Sequence, residues 1–433
     1  MPTTLYPVPL NQGSPGIHRG INTAKLDGVT AGWVQGLLRT TAGTTQNALS
    51  ATSVAGPTVG IELSTVPVEF ISLPLAADVT IAGSITVNYW GRESVDANAV
   101  IGVVVDSVDC TSALKAQIAK GASTTELAIL TGSYAVSNYT LTPTSTLVRK
   151  GERLRVRFYM DDHSSGNMIA AATIAAAYAG AAAGVSGDTY LTFAETITFQ
   201  TTVPTGTILY MTDIVGPVLG ATDEREMWTA RGAASVESAT TLTAGFGAPI
   251  PATRTAGGTA IEWYTKPLQA FTLDGLVRFN MRGRESASTA NISFRPELAV
   301  CNADGSGAVV YAAASLVDTS SPGAPTTAST TGELTNTDTT PMKAWLAGPP
   351  IAVAEGQRLR LRMLWTSCST TAMGTGTGYF SYGTPTPSST GDSWIQLPQT
   401  VIESAPAIVA KWGSQDVLAM QFGSQPVLDV LKT

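Results

Sequence analysis

The sequence predicts an all-β protein: two tandem jelly-roll-like antiparallel β-sandwiches with an extended N-terminal arm and a C-terminal β-meander. Three observations predict it. The chain contains itself twice, its apolar residues alternate with a period of two, and clusters of Gly, Pro, Ser and Thr interrupt the alternation at short spacing.

The duplication sets the domain plan. Residues 68–75 read VEFISLPL and residues 261–268 read IEWYTKPL, an offset of 261 − 68 = 193. Gly-Arg-Glu-Ser starts at Gly91 and again at Gly283, an offset of 283 − 91 = 192. GERLRVRFYM from Gly151 returns as GQRLRLRMLW from Gly356, at 205, and GDTYLTF from Gly187 returns as GDSWIQL from Gly391, at 204. Four matches in one order, at offsets that differ only by loop-sized insertions, define a unit near 200 residues. The first sandwich is placed at residues 30–204 and the second at residues 205–403. Residues 1–29 hold Pro, Asn and Gly without a period and read as an extended arm. Residues 404–433 form a tail with its own short repeat.

Inside each unit the period is that of a strand. Leu154, Val156 and Phe158 face one way while Arg153, Arg155 and Arg157 face the other; Leu359, Leu361 and Met363 oppose Arg358, Arg360 and Arg362 in the same manner. Such alternation marks a half-buried strand. Thr80–Tyr89 and Thr272–Met281 alternate too. Units of this length, with eight or more strands, suit a jelly roll better than an immunoglobulin domain of ~100 residues. The Ala-rich run Ile169–Gly184 is shorter than the ~20 residues a spanning helix needs. Its counterpart between Cys368 and Ser389 is rich in Gly, Thr and Pro, so the run reads as a strand followed by a small-residue loop. Ala113–Leu130 has room for a helical turn or two. In the tail, Trp412-Gly-Ser-Gln-Asp-Val-Leu is echoed by Phe422-Gly-Ser-Gln-Pro-Val-Leu. Aromatic, Gly-Ser turn, then Val-Leu is the pattern of strand, tight turn, strand.

Composition excludes several functions. Charged residues are 13% of the chain and the net charge is −7, against about 25% charged in ordinary soluble domains. Nucleic-acid binding needs basic patches that release counterions, so no nucleic-acid partner is expected. Two histidines, His18 and His163, and three cysteines, Cys110, Cys301 and Cys368, rule out most zinc frameworks and a dense disulfide scaffold. The N-terminus MPTTLYPVPL lacks the basic and continuous apolar regions of a secretory signal, and no membrane insertion is expected.

Candidate chemistry is sparse. Asp161, Asp162 and His163 could ligate a metal or do acid–base work, but the second unit has Thr366, Ser367 and Cys368 there, which favours a solvated loop tip. Gly374–Gly378 has a phosphate-loop look, yet Tyr379, Phe380 and Tyr382 follow it as a strand would, and a phosphate loop needs a helix N-terminus. The duplicated strand ends, Arg92–Glu93 and Arg284–Glu285, read as turns whose Arg and Glu pair with each other or with the Arg rows. Trp33, Trp90, Trp228, Trp263, Trp345, Trp365, Trp394 and Trp412 could stack sugars. Trp263 and Trp394 match Phe70 and Tyr190 of the first unit, which favours core packing for both pairs. No Ser/His/Asp set is present in spacing, and nothing selects a carboxylate pair. The chain is read as a non-enzyme with no catalytic, cofactor-binding or metal-binding residues and no cofactor.

The Thr/Ala/Gly-rich, charge-poor composition, the tandem units with GERLRVRFYM and GQRLRLRMLW, and the terminal WGSQDVLAM–FGSQPVLDV repeat together resemble a tailed-bacteriophage virion structural protein of the minor tail protein kind. The resemblance implies an all-β, non-catalytic protein of the tail tip or a fibre, located in the virion and serving assembly and host attachment. It implies other virion subunits as partners, a homo-oligomer in a symmetric assembly, and contact with host cell-surface glycan. The alternatives are a capsid-associated head fibre or decoration protein and, from another class, a secreted carbohydrate-binding protein.

Overall fold

The computed structural model describes residues 1–8, 23–24, 30–31, 34–42, 46–53, 61–62, 68–109, 113–130, 133–163, 168–178, 189–201, 204–216, 224–232, 236–242, 250–251, 262–287, 292–313, 319–321, 324–325, 334, 342–367, 376–383, 393–404, 408–412 and 415–420. Every regular element among the described residues is a β-strand. The principal strands of the first unit are β1 (Thr3–Val8), β2 (Val34–Arg39), β3 (Asn47–Thr52), β4 (Val68–Ser72), β5 (Ile85–Glu93), β6 (Ala99–Val108), β7 (Leu114–Ala122), β8 (Ala135–Leu141), β9 (Arg153–Asp162), β10 (Thr173–Tyr178) and β11 (Tyr190–Phe193). Those of the second are β12 (Ile208–Val215), β13 (Glu224–Trp228), β14 (Val236–Leu242), β15 (Glu262–Tyr264), β16 (Val277–Glu285), β17 (Ile292–Cys301), β18 (Val309–Ala313), β19 (Met342–Leu346), β20 (Arg358–Ser367), β21 (Gly376–Tyr382) and β22 (Trp394–Gln396).

The first unit runs β7-β6-β9-β4-β2-β1-β11-β5-β10-β3, with β8 on the other side of β5; the second runs β18-β17-β20-β15-β13-β12-β22-β16-β21-β14, with β19 on β16. Each strand of the second unit thus takes the place of the strand eleven earlier. Even the exception repeats: β2 pairs β4 in parallel, and so does β13 with β15. β1 turns the path from one layer into the other. Its residues Thr3–Leu5 pair with Phe193–Leu191, and Tyr6–Val8 pair with Arg39–Leu37. The two layers close on a shared core, in which Phe70 of β4 meets Tyr178 of β10 edge-on at 5.0 Å. In the second unit Trp263 meets Tyr382 at 5.1 Å in the matching place.

Single hydrogen bonds repeat as well. The Ile197 amide donates to Thr3 Oγ1 at 2.7 Å, as the Val401 amide does to Thr207 Oγ1 at 2.9 Å. The Leu154 amide donates to Ser72 Oγ and the Leu359 amide to Thr265 Oγ1, both at 2.9 Å. Thr3 therefore corresponds to Thr207, which corrects the first part of the arm expected over residues 1–29; residues 9–22 and 25–29 lie outside the described residues. Residues 3–8 are extended, but they are a strand of the first sandwich, bound to the chain's own β11 and β2. Two threonines, a leucine and a valine suit a strand, and their partners, not a local period, fix them. Of the tail, β23 (Ile408–Trp412) and β24 (Gln415–Met420) pair as an antiparallel hairpin. The second copy, around Phe422, lies outside the described residues.

Leu154, Val156 and Phe158 are buried, as are Leu359, Leu361 and Met363. The Arg rows take the opposite face, but in the first unit the middle of that face is not solvated: Arg155 is 1% and Arg157 9% exposed. The half-buried strand is thus buried on both faces, because neighbouring strands supply carboxylates to the guanidinium groups.

Two other expectations are revised. Thr80–Tyr89 and Thr272–Met281 each break at a turn, so that Val79–Ile81 pairs with Thr146–Val148, and Phe271–Leu273 with Ile351–Val353, as separate ribbons. Gly275, at φ +111, makes the second of these turns. Ala113–Leu130 holds a strand and not a helical turn. β7 is bulged against β6: the register skips Ile118 between Val105↔Ala119 and Asp106↔Gln117, and skips Lys115 between Ser107↔Ala116 and Val108↔Leu114. Each bulge shifts the alternation by one residue and erases the period of two from the sequence. The Ala-rich run contains β10, a strand as read.

The two units touch where a turn of the first reaches the second. Lys150 Nζ lies 2.6 Å from Asp274 Oδ2, beside a cavity of about 300 Å³ lined in part by Phe199, Gln200 and Pro398. Gly151 and its counterpart Gly356 both hold φ +83. A Cβ on Gly151 would stand 2.1 Å from the Gly348 carbonyl oxygen, whereas one on Gly356 would meet nothing within 4 Å. Gly356→Ala is therefore expected to cost about 1–2 kcal/mol, the left-handed penalty alone. Gly151→Ala should cost a further ~1–3 kcal/mol for overpacking the junction. Urea midpoints of the two variants check this; equal losses would mean that the junction yields freely.

Candidate functional site

β5 ends on the duplicated Gly-Arg-Glu-Ser. Neighbouring residues of a strand point to opposite faces, so Arg92 and Glu93 do not pair with each other, contrary to expectation. The Arg92 guanidinium stands over the Tyr134 ring at 4.9 Å, and Arg284 stands over Tyr379 at 3.8 Å. Glu93 and Glu285 turn inward and are fully buried, each at 0% exposure.

Around Glu93 the first unit gathers more acid. Asp96 stands in the loop from β5 to β6, and Glu126 follows β7. One carboxylate oxygen from each of Glu93, Asp96 and Glu126 lies within 4.8 Å of the other two. Backbone hydrogen bonds hold these segments together: the Glu93 amide donates to Ala128 O, Leu130 to Glu93 O, and Leu127 to Ala99 O. Glu93 Oε2 accepts from the Ala99 amide at 3.3 Å, while Oε1 is buried with no hydrogen-bond partner. Burial pushes the Glu93 carboxyl up to about 7; Glu126 and Asp96 add to the rise, and backbone hydrogen bonds at Ala97 and Ala99 oppose it.

The residues singled out from sequence border this cluster. Asp161 and Asp162 pair in register with Val100 and Ala99, and burial raises the Asp161 carboxyl above its ordinary range. His163 comes nearest. Its Nδ1 lies 3.9 Å from Glu126 Oε2, and its Nε2 is 2.7 Å from Thr124 O. A carbonyl only accepts, so Nε2 carries the proton and Nδ1 faces the carboxylate. The sequence favours a solvated loop tip at Asp161–His163 and does not single out positions 93, 96 and 126 as a cluster.

The buried Arg rows form the second polar assembly. Arg155 donates to Asp106 Oδ2 through Nε at 3.0 Å and Nη2 at 2.8 Å, and Arg157 Nη2 reaches the same oxygen at 3.1 Å. Arg155 Nη1 lies 3.4 Å from Glu69 Oε2. In the second unit Arg362 bonds Glu262, the counterpart of Glu69, at 2.7 Å. Arg360 bonds Glu297 at 3.1 Å. The facing strand thus keeps an acid but moves it two residues along the same face. Buried charges paired in this way specify register rather than perform chemistry.

Trp263 is core, at 0% exposure, and its Nε1 donates to Thr212 O at 3.1 Å, as expected of a match to Phe70. Trp394 and Tyr190 are only half-buried, which corrects the reading of that pair; the core position of β22 is the next residue, Ile395. Arg278 lies between Trp345 and Trp394, at 5.1 and 4.9 Å, and Lys266 covers Trp228 at 5.6 Å. These rings are already stacked by the chain's own cations. Trp33 and the side chains of Trp365 and Trp412 lie outside the described residues, as do His18, Cys110 and Cys368. Cys301 is buried and free, and burial raises its thiol to about 11. Gly376–Gly378 belong to β21, an extended strand; Gly374 and Thr375 lie outside the described residues.

No family model matches the chain, and no curated protein matches it. Solved structures give remote likenesses. A CocE/NonD family hydrolase from Staphylococcus aureus is 13% identical over 45% of this chain and 36% of its own, at a TM-score of 0.29. An aminopeptidase from the marine sediment archaeon Thaumarchaeota archaeon is 10% identical over 41% and 36%, at 0.29. The CBM22-1–CBM22-2 tandem domain of Paenibacillus barcinonensis Xyn10C is 8% identical over 82% and 93%, at 0.16. The chain spans about a third of the length of the hydrolases it matches. Similarities this weak carry no argument for function.

Proposed function

We propose that the chain is a non-catalytic structural component of a tailed-phage virion, a minor tail protein of the tail tip or a fibre, held by other virion subunits and contacting the host surface. The supporting observation is the duplication of one sandwich, strand for strand and with several matching hydrogen bonds, with no acid–base or nucleophile set repeated alongside it among the described residues. A chain that repeats a scaffold without repeating a reactive site is suited to spacing and packing. The charge-poor Thr/Ser composition is suited to close contact between subunits, where buried charge is costly.

Gold-labelled antibody against the chain, applied to particles of the source phage, is expected to mark one end of the tail. Label on the head would support the head-fibre or decoration reading instead, and unlabelled particles would refute a virion role. A chain cut after Ser404 is expected to keep the circular dichroism of the two sandwiches and to lose incorporation. The hairpin β23–β24 is too small to stand alone in water and so needs a partner surface. Normal incorporation of the cut chain would place the assembly contacts elsewhere.

A further inference from the structure

We propose that Glu93, Asp96 and Glu126 bind one calcium-sized divalent cation at the end of the first sandwich. The expectation from sequence was of no metal. Two independent observations point the other way.

The first is spacing. Three carboxylate oxygens, one from each residue, lie within 4.8 Å of one another. Calcium takes oxygen ligands at about 2.3–2.6 Å, so two oxygens on opposite sides of one ion stand about 4.6–5.2 Å apart and adjacent ones closer. Three oxygens this close can converge on a single ion with at most a small adjustment of the side chains. The second is the state of Glu93. It is fully buried, and one of its two oxygens has no hydrogen-bond partner. An ionised carboxylate in that position is costly unless a cation or donor meets it. The charged groups acting on it are Glu126 and Asp96, both of its own sign.

The donor set selects the class of ion. Three carboxylates are hard oxygen ligands, which suit calcium, whereas zinc favours nitrogen and sulfur. His163 does not change this, since its Nδ1 lies beside Glu126 alone. The second unit keeps the buried glutamate, Glu285, but the residue matching Asp96 by the 192-residue offset is Ser288. One ion per chain is expected, in the first sandwich.

The test is calorimetric titration of the full chain with calcium chloride after removal of divalent ions, with magnesium and zinc chlorides in parallel, and thermal melts in each. Wild type should bind one calcium per chain, with melting raised by about 5–10 °C at a hundredfold excess over Kd. Asp96→Asn, in an exposed loop, and Glu126→Gln should each weaken calcium by at least about tenfold while melting cooperatively in chelator. Glu93→Gln should remove binding. An absence of heat and of any melting shift in wild type would overturn the site. So would calcium binding unchanged in all three variants, or zinc bound in preference to calcium.

Discussion

Asp106→Ala is expected to lower the stability of the first sandwich by about 3–5 kcal/mol, the usual loss when one partner of a buried ion pair is removed. One oxygen of Asp106 takes three hydrogen bonds from Arg155 and Arg157, and Arg155 is 1% exposed. Glu69, at 3.4 Å, is a weaker second partner for Arg155. The second unit indicates how to repair the loss. Opposite Arg360, the counterpart of Arg155, it has Ala299, and opposite Arg362 it has Glu297. The same positions in the first unit are Asp106 and Val104. Val104→Glu added to Asp106→Ala copies that layout and should return about half of the loss or more. Urea unfolding of the single and double variants measures it. A double variant no more stable than the single would show that the two rows are not interchangeable.

Phe158→Ala is expected to cost about 3–5 kcal/mol, for lost burial and the cavity left behind. Phe158 is 2% exposed and meets Phe70 edge-on at 5.9 Å, and Phe70 in turn meets Tyr178 of the other layer. The ring thus sits where both sheets share their packing. Phe158→Leu keeps most of the volume and should cost less than about 1.5 kcal/mol. If the alanine variant lost less than about 1 kcal/mol, the ring would not be holding the layers together. Both losses should appear in the unfolding of the first sandwich and leave the second in place.

The predictions rest on what could be read in the residues. Leu154, Val156 and Phe158 were legible because a strand in the middle of a sheet keeps a strict period of two. The burial of Arg155 was not, since an alternating arginine looks the same in sequence whether it faces water or Asp106. β7 was illegible for a different reason: two bulges shift its phase, and a shifted period resembles no period. β1 was missed because its strand character comes from partners distant in sequence, β2 about thirty residues on and β11 nearly two hundred. The same holds for the acid cluster. Glu93 and Asp96 are separated from Glu126 by the whole of β6 and β7, and only the folding of those strands brings the carboxylates together. Gly-Arg-Glu-Ser was visible as a repeat, but its glutamate's role depends on which face the strand end presents.

The pairing of β1 with β11 also has an evolutionary consequence. Because Thr3 sits opposite Phe193, and the second unit brings Ile208 opposite Gln396, each sandwich begins and finishes at one spot. A module whose two ends lie side by side can be copied in the gene and spliced to its parent through a few residues, with neither copy unravelled to admit the other. Recombination could lengthen such a chain one cassette at a time. Each new cassette would then be free to vary in its loops, as Ser288 stands where the 192-residue offset places the counterpart of Asp96, while the ladder beneath stays the same.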